Sequence, residues 1–343
     1  MATVLNPKEF LEMGKTIPMV DVRTPAEFEL GHIPDALNIP IFTNEERVLV
    51  GTKYKRASKD SAVLLGLELV GPKLARFVRQ AKKIAPEKVI MLHCWRGGMR
   101  SGSMAWLFET AGFTVYLLKG GYKAYRSYNR DQFQEKSELV VLGGMTGSGK
   151  TDILHEMQAM GHQVLDLEGV ANHKGSVFGA LGQANQPTNE HFENELAKIW
   201  SGFDANRPIW IEDESNSVGT VRINDVLFGR MRKAEVIRLD VPKEERIKRL
   251  VKEYACFDIE LLKGLVFKIE KRLGGLNVKN AFESLDKGDF HAVADITLTY
   301  YDKAYKHGQE KRKGQTIHPL QVERDAPKEN AEAVLNFYEK LEK

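Results

Sequence analysis

The chain has 343 residues, 42% of them hydrophobic and 28% charged, and a formal net charge of +3. This composition excludes a disordered or fibrous chain, and the length suits two domains of ordinary size. Two cysteines are too few for a disulfide framework and point to a reducing cytoplasm, while no apolar run approaches the roughly 18–20 residues that span a membrane.

The start, MATVLNPKEFLEMGK, carries no secretory signal pattern. IPMVDVR (17–23) is short, apolar and ends in charge, which predicts a buried strand. Thr24 then stands where a helix cap belongs, with Pro25 at the first helical position. ALNIP (36–40) and KVIMLHC (88–94) predict further strands, SGSMAWLFETAGF (101–113) a helix, and TVYLLKGG (114–121) a strand. Strands alternating with helices predict a parallel sheet. Around residues 122–137 apolar content falls and charge rises. The boundary is placed there, giving a first domain over 1–127, a linker over 128–137 and a second domain over 138–343. The same stretch also reads as an amphipathic helix packing Tyr122, Tyr125 and Tyr128 on the first domain.

The second half repeats the alternation. ELVVLGG (138–144), HQVLDLEG (162–169), RPIWIEDES (207–215) and AEVIRLDVP (234–242) predict strands, and DILHEMQAM (152–160) a helix. The tail from residue 325 predicts a closing amphipathic helix with Leu335, Phe337, Tyr338 and Leu341 as its apolar positions. Cys256 reads as a core residue. The fold class is therefore α/β, with two parallel-sheet domains in succession.

Two loops carry chemistry. In HCWRGGMRSG (93–102), Cys94 follows a strand and precedes a helix, among Arg96, Gly97, Gly98 and Arg100. Backbone N–H groups turned inward there form an anion cradle, which lowers a thiol pKa and makes an accessible nucleophile. Gly144-Met-Thr-Gly147-Ser148-Gly149-Lys150-Thr151 matches the phosphate-binding loop in full, between a strand and a helix as its mechanism requires. It accepts a nucleotide or another diphosphate, and it admits Mg²⁺ at the Thr151 hydroxyl. Asp213 and Glu214 after one strand, and Asp166 and Glu168 after another, are expected at the same cleft as metal-holding or basic groups. His173, in the glycine-rich ANHKGSVFGALG (171–182), adds donors. Arg76, Arg79, Lys82 and Lys83 share one helix. Arg126 and Arg130, interleaved with Tyr122, Tyr125 and Tyr128, offer phosphate and base contacts for RNA.

DVRTPAEFELGHIPDALNIP (21–40) and GGYKAYR (120–126) resemble the signatures of rhodanese domains, which carry sulfur or selenium on a cysteine. His93-Cys94, five residues, then Arg100-Ser101 also fits the cysteine phosphatase pattern, with one residue more than the usual sulfurtransferase loop. A rhodanese-like domain followed by a P-loop NTPase-like domain, with HCWRGGMRSGSMAW, GGMTGSGKT, LDLEGVANHKGSVFG and EDESNSVG in order, resembles the bacterial tRNA 2-selenouridine synthases. That resemblance implies a cytoplasmic transferase acting on tRNA with 2-thiouridine at the wobble position. Geranyl diphosphate alkylates the sulfur, and selenium from selenophosphate then replaces S-geranyl. Both are co-substrates, and no tightly bound cofactor is implied. Cys94 matches the cysteine required for selenation, and Gly144 to Thr151 match the family's phosphate-binding motif. The rivals are a rhodanese-fold phosphatase or sulfurtransferase fused to a P-loop kinase-like domain, and a regulatory module that binds phosphate ligands without chemistry.

Overall fold

Local capping starts the first helices. Asn6 with Glu9, and Thr24 with Glu27, close reciprocal capping boxes ahead of Pro7 and Pro25. The computed structural model describes residues 2–134, 137–310, 312 and 314–341. It divides into two units, Met1–Gln132 and Phe133–Lys343.

The first unit is built on β1 (Thr3–Leu5), β2 (Met19–Asp21), β3 (Leu37–Asn38), β4 (Val89–His93) and β5 (Thr114–Leu118). They form one sheet in the order β1-β5-β4-β2-β3, with every pairing parallel. Val20, Val22, Ile90 and Leu92 are buried against Phe77, Met104 and Phe108 of the covering helices. β4 is central, so its carboxyl end delivers Cys94 to the middle of the sheet edge where ligands gather in such folds. The helix after the loop starts at Met99, two residues before its expected start, and runs to Thr110. β1 escapes sequence reading because it is three residues long and half exposed. So does a pair of helices, Asn44–Arg56 and Lys59–Val70, in which Ala62 is the only buried residue. On the helix Leu74–Ile84 the cations Arg76, Arg79, Lys82 and Lys83 are all exposed.

The segment expected as a linker begins as helix. Gly121–Gln132 is helical, with Tyr122 and Tyr125 buried. Residues 135 and 136 of that expected linker lie outside the described residues.

The second unit contains β6 (Leu139–Gly144), β7 (Gln163–Leu165), β8 (Ile209–Glu212), β9 (Ser217–Val218), β10 (Val221–Arg222), β11 (Glu235–Asp240) and β12 (Ile317–Gln321). Its main sheet is parallel throughout, in the order β12-β11-β6-β8-β7, and β9 and β10 pair antiparallel. β6 is the central strand and is buried along its length. It carries the phosphate loop out at its carboxyl end. Three expectations are corrected here, and one strand is new. The strand expected to run to residue 169 stops at Leu165, because Asp166 caps a helix over Leu167–Ala171. Cys256, expected in the core, is exposed in the turn after the helix Lys243–Tyr254. Leu341 is exposed, and Ala331 and Val334 fill the buried stripe of the last helix instead. β12 packs beside β11, with Ile317 opposite Val236, where no strand was expected. Among the described residues no helix is long and apolar enough to cross a membrane.

Candidate active sites: a cysteine loop and a phosphate loop

The Cys94 side chain lies at the floor of its loop, and the residue is 3% exposed. Its Sγ is 3.2 Å from Ser101 Oγ. Burial pushes the thiol pKa up, but the Ser101 hydroxyl and the backbone N–H groups of Ser101, Arg96 and Gly98 outweigh it and hold the thiol below its ordinary value. Two of the loop's carbonyls are tied to the start of the helix Gly121–Gln132. Tyr122 N donates to Cys94 O at 2.8 Å, and Lys123 N donates to Trp95 O at 3.0 Å. Gly121 permits this approach: its φ is +63°, and a Cβ there would lie 2.3 Å from Cys94 O. The Gly-Gly segment read from the sequence is thus the clamp of the cysteine loop. His93, behind the loop, is fully buried, and burial pushes its pKa down, leaving it neutral.

Ser101→Ala, in a Cys256→Ser background that removes the exposed thiol, is expected to slow iodoacetamide alkylation of Cys94 by about threefold to tenfold at neutral pH. The rates should converge in strongly alkaline buffer, and parallel curves at all pH values would mean that Ser101 does not set the acidity.

The two arginines of the loop part company. Arg100, expected to cradle an anion, instead makes a two-point ion pair with Glu27, at 2.6 and 3.1 Å. The acid that caps the Pro25 helix therefore also neutralises Arg100. Arg96 is exposed and stands on the rim of a cleft of about 690 Å³ that opens over Cys94. The tyrosines expected to stack on bases are corrected too. Tyr122 is fully buried with Arg23 3.8 Å above its ring, and Tyr125 is buried beside it. On the same helix Arg126 is half-buried and Arg130 exposed.

In the second unit, Gly144 to Thr151 wrap the start of the helix Lys150–Ala159. Lys150 Nζ donates to Gly144 O at 3.1 Å, and Thr151 Oγ1 donates to Glu168 Oε2 at 2.7 Å. The loop borders a cleft of about 480 Å³ that Asp166, Glu168, Asp213, Glu214, Lys174 and Arg249 also line. Helix-start N–H groups and a lysine make this a site for a phosphate chain.

The acidic residues divide by environment. Asp213, expected as a metal-holding or basic carboxylate, is buried and neutralised by Arg312 at 2.7 Å and Arg232 at 3.2 Å. Tyr305 bridges it to the loop, its hydroxyl donating to Asp213 at 3.2 Å and accepting from Gly144 N at 2.9 Å. Asp166 serves as a helix cap and holds His155 at 2.7 Å. Glu168 and Glu214 remain as the pair facing the phosphate loop. Burial, then the charge of Glu168, pushes Glu214 up to about 8. Gly175, with φ +64°, crosses directly above the pair, where a Cβ would lie 2.7 Å from Glu168 Oε1 and 2.8 Å from Glu214 Oε1. That places the glycine-rich 171–182 loop at the site, whereas the His173 ring packs against Gly179 and Gly219. Thr151 and Glu168 are hard oxygen donors suited to Mg²⁺. Among the described residues no group of three or more His, Cys, Asp or Glu could hold a metal ion, so a cation here would need phosphate oxygens as well.

The neutral Glu214 carboxyl contributes stability that is complete below about pH 4.3, where an unfolded glutamate also holds its proton, and is lost as the pH rises through about 8. Glu214→Gln is expected to flatten that slope and to exceed the parent by roughly 1–3 kcal/mol at pH 8, as urea midpoints across pH 5–9 would show. An unchanged slope would place the titrating proton elsewhere.

Tyr305, Arg312 and Arg246 were absent from the sequence reading, and Glu27 entered it only as part of the 21–40 signature, with no role at the cysteine loop. Arg246 donates to Thr146 O at 3.1 Å and pairs with Asp302 at 2.8 Å. These partners lie far from the loops they brace, and no spacing marks them. Ser101 did have a signal, as the last residue of the His-Cys-x5-Arg-Ser pattern.

A rhodanese-like domain model matches residues 6–128, and a tRNA 2-selenouridine synthase AAA domain model matches residues 137–260. A tRNA 2-selenouridine synthase of Nitrosomonas europaea is 39% identical over 69% of this chain and 63% of its own length, so that match spans less than two thirds of the relative. Those of Hydrogenovibrio crunogenus and Sulfurovum sp. are 36% and 35% identical, over 87% and 84% of this chain and 91% and 88% of their own. With two domain models in the right order and full-length relatives above 30% identity, the chain belongs to the tRNA 2-selenouridine synthase family.

Proposed function

We propose that this protein converts 2-thiouridine at the wobble position of tRNA to 2-selenouridine in two steps, one at each loop. The observation that carries this reading is that one chain holds two different anion cradles, one built around an acidic thiol and one around a lysine and a helix start. In the first step the 2-thio sulfur attacks C1 of geranyl diphosphate, releasing diphosphate and the N3 proton. Lys150 and the loop N–H groups stabilise charge on the leaving diphosphate. No ATP hydrolysis is needed. Mg²⁺, if bound with the diphosphate, neutralises further charge and would be held by Thr151 and Glu168.

The surroundings of the phosphate loop support an isoprenoid donor. Thr146, Leu250, Tyr254 and Tyr301 border both the phosphate cleft and an apolar recess that continues to Leu262, Leu285 and Phe290. At about 50 Å³ the recess receives the first carbons as it stands, and a longer chain displaces side chains such as Phe178.

In the second step selenium replaces S-geranyl at C2. S-geranyl uridine, selenophosphate and water give 2-selenouridine, geranylthiol and phosphate. Cys94 handles the selenium, and the N–H groups of its loop suit the phosphate of selenophosphate. The exposed cations of the helix Leu74–Ile84, with Arg126 and Arg130, are the candidate tRNA contacts. A phosphatase is less well served, since Glu27 already occupies the Arg100 guanidinium.

The test is mass spectrometry of nucleosides from 2-thio-tRNA incubated with geranyl diphosphate and then with selenophosphate. S-geranyl-2-thiouridine followed by 2-selenouridine is expected. Turnover of a generic phosphomonoester with no selenium in the tRNA would overturn the reading.

A further inference from the structure

The cleft over Cys94 is larger and more apolar than selenophosphate, a small and highly charged ion, requires. Its walls are Phe42, Val50, Val63, Leu67 and Val70, with Trp95 and Met99 from the cysteine loop. Most of that wall comes from the helix pair Asn44–Arg56 and Lys59–Val70, which buries little else. Leu67, Tyr54 and Met99 are 64%, 59% and 59% exposed. Cations ring the same opening: Arg47, Lys55 and Lys59 on the helices, and Arg96 on the loop. An apolar trough ending at a nucleophile and edged by cations fits a hydrocarbon attached to a polyanion. A second copy of this chain would bring the same cations face to face, which disfavours self-association there. The volume, about 690 Å³, falls within the roughly 300–1,000 Å³ of small-molecule sites.

We infer that this cleft binds the isoprenoid chain of S-geranylated tRNA during the selenium step, and so makes the prenyl thioether the recognised leaving group. The inference rests on the two-step reading above. The chain lies along Val63, Leu67 and Val70, the thioether and C2 come to the Cys94 loop, and flanking phosphates meet Arg47, Lys55 and Lys59. The phosphate loop then serves geranyl diphosphate alone.

The test uses the full-length protein and synthetic anticodon stem-loop RNAs bearing S-geranyl, S-dimethylallyl or S-methyl 2-thiouridine, so that no geranyl transfer is required. Each buried methylene is worth about a fourfold change in affinity. Selenation kcat/KM is therefore expected to fall at least a hundredfold from geranyl to methyl. Leu67→Glu and Tyr54→Glu alter exposed positions, so folding should survive. Each is expected to lower selenation kcat/KM, through KM, at least tenfold more for the geranyl than for the methyl substrate, since the added carboxylate beside Arg47, Lys55 and Lys59 weakens all three RNAs alike, and to leave geranyl transfer to 2-thio-RNA unchanged. Leu64→Glu, on the same helix but outside the cleft, should change nothing. Equal use of geranyl and methyl substrates by the parent, or an intact geranyl preference in Leu67→Glu, overturns the assignment while leaving the two-step reading standing. Failure of the parent to selenate any of the three thioethers removes both.

Discussion

Lys150→Ala is expected to cut geranyl transfer to 2-thio-tRNA by about a hundredfold to a thousandfold, the effect of removing one preorganised charge from a developing anion. Lys150 Nζ rests on Gly144 O in the structure, so it is held across the mouth of the loop rather than lost to solvent. A diphosphate would exchange that carbonyl for its own oxygens. The variant should keep its fold, because Ile153, Leu154 and Met157 on the buried face of the same helix are untouched. Selenation of chemically supplied S-geranyl RNA should proceed at the parent rate. Liquid chromatography of nucleosides after each step separates the two, and normal geranyl transfer by the variant would remove the phosphate loop from the first step.

Cys94→Ala is expected to produce the complementary block. Geranylated tRNA accumulates at the parent rate, and 2-selenouridine falls by a factor of at least about 10³, as expected for loss of an activated nucleophile. Removing a buried sulfur costs about 1–2 kcal/mol of stability, so retained geranyl transfer is the internal control for folding. Arg100→Lys sharpens the interpretation. The structure gives Arg100 to Glu27, at 2.6 Å, and that substitution should act through the shape of the loop rather than through loss of an anion clamp. Selenation at the parent rate by Cys94→Ala would leave the acidic thiol without a role.

The parts that were legible in the sequence are those whose chemistry is contiguous. Cys94 to Ser101 and Gly144 to Thr151 each run strand, loop, helix, and their donors are backbone groups that a short motif specifies. The parts that were not legible depend on distant partners. Asp213 looks like a free acid at a strand end until Arg312 and Tyr305, from the other end of the unit, are seen to occupy it. Arg100 looks like an anion ligand until Glu27 folds onto it. Tyr122 and Tyr125 alternate with cations as base-stacking residues would, yet their spacing also suits one buried face of a helix, and packing decides for that. The helix pair over 44–70 shows no clear apolar stripe because its apolar residues are divided: Val50, Leu69 and Val70 pack on the core, Val63 and Leu67 line the cleft, and Val48, Leu49 and Leu64 are exposed.

The clamp on the cysteine loop bears on when the enzyme becomes chemically competent. The carbonyl oxygens of Cys94 and Trp95 accept from the backbone N–H groups of Tyr122 and Lys123, which leave the ribosome after the loop, its helix and β5. Until they arrive, those two hydrogen bonds of the cysteine loop are unmade. The loop that holds the nucleophile is therefore completed only as the first unit closes.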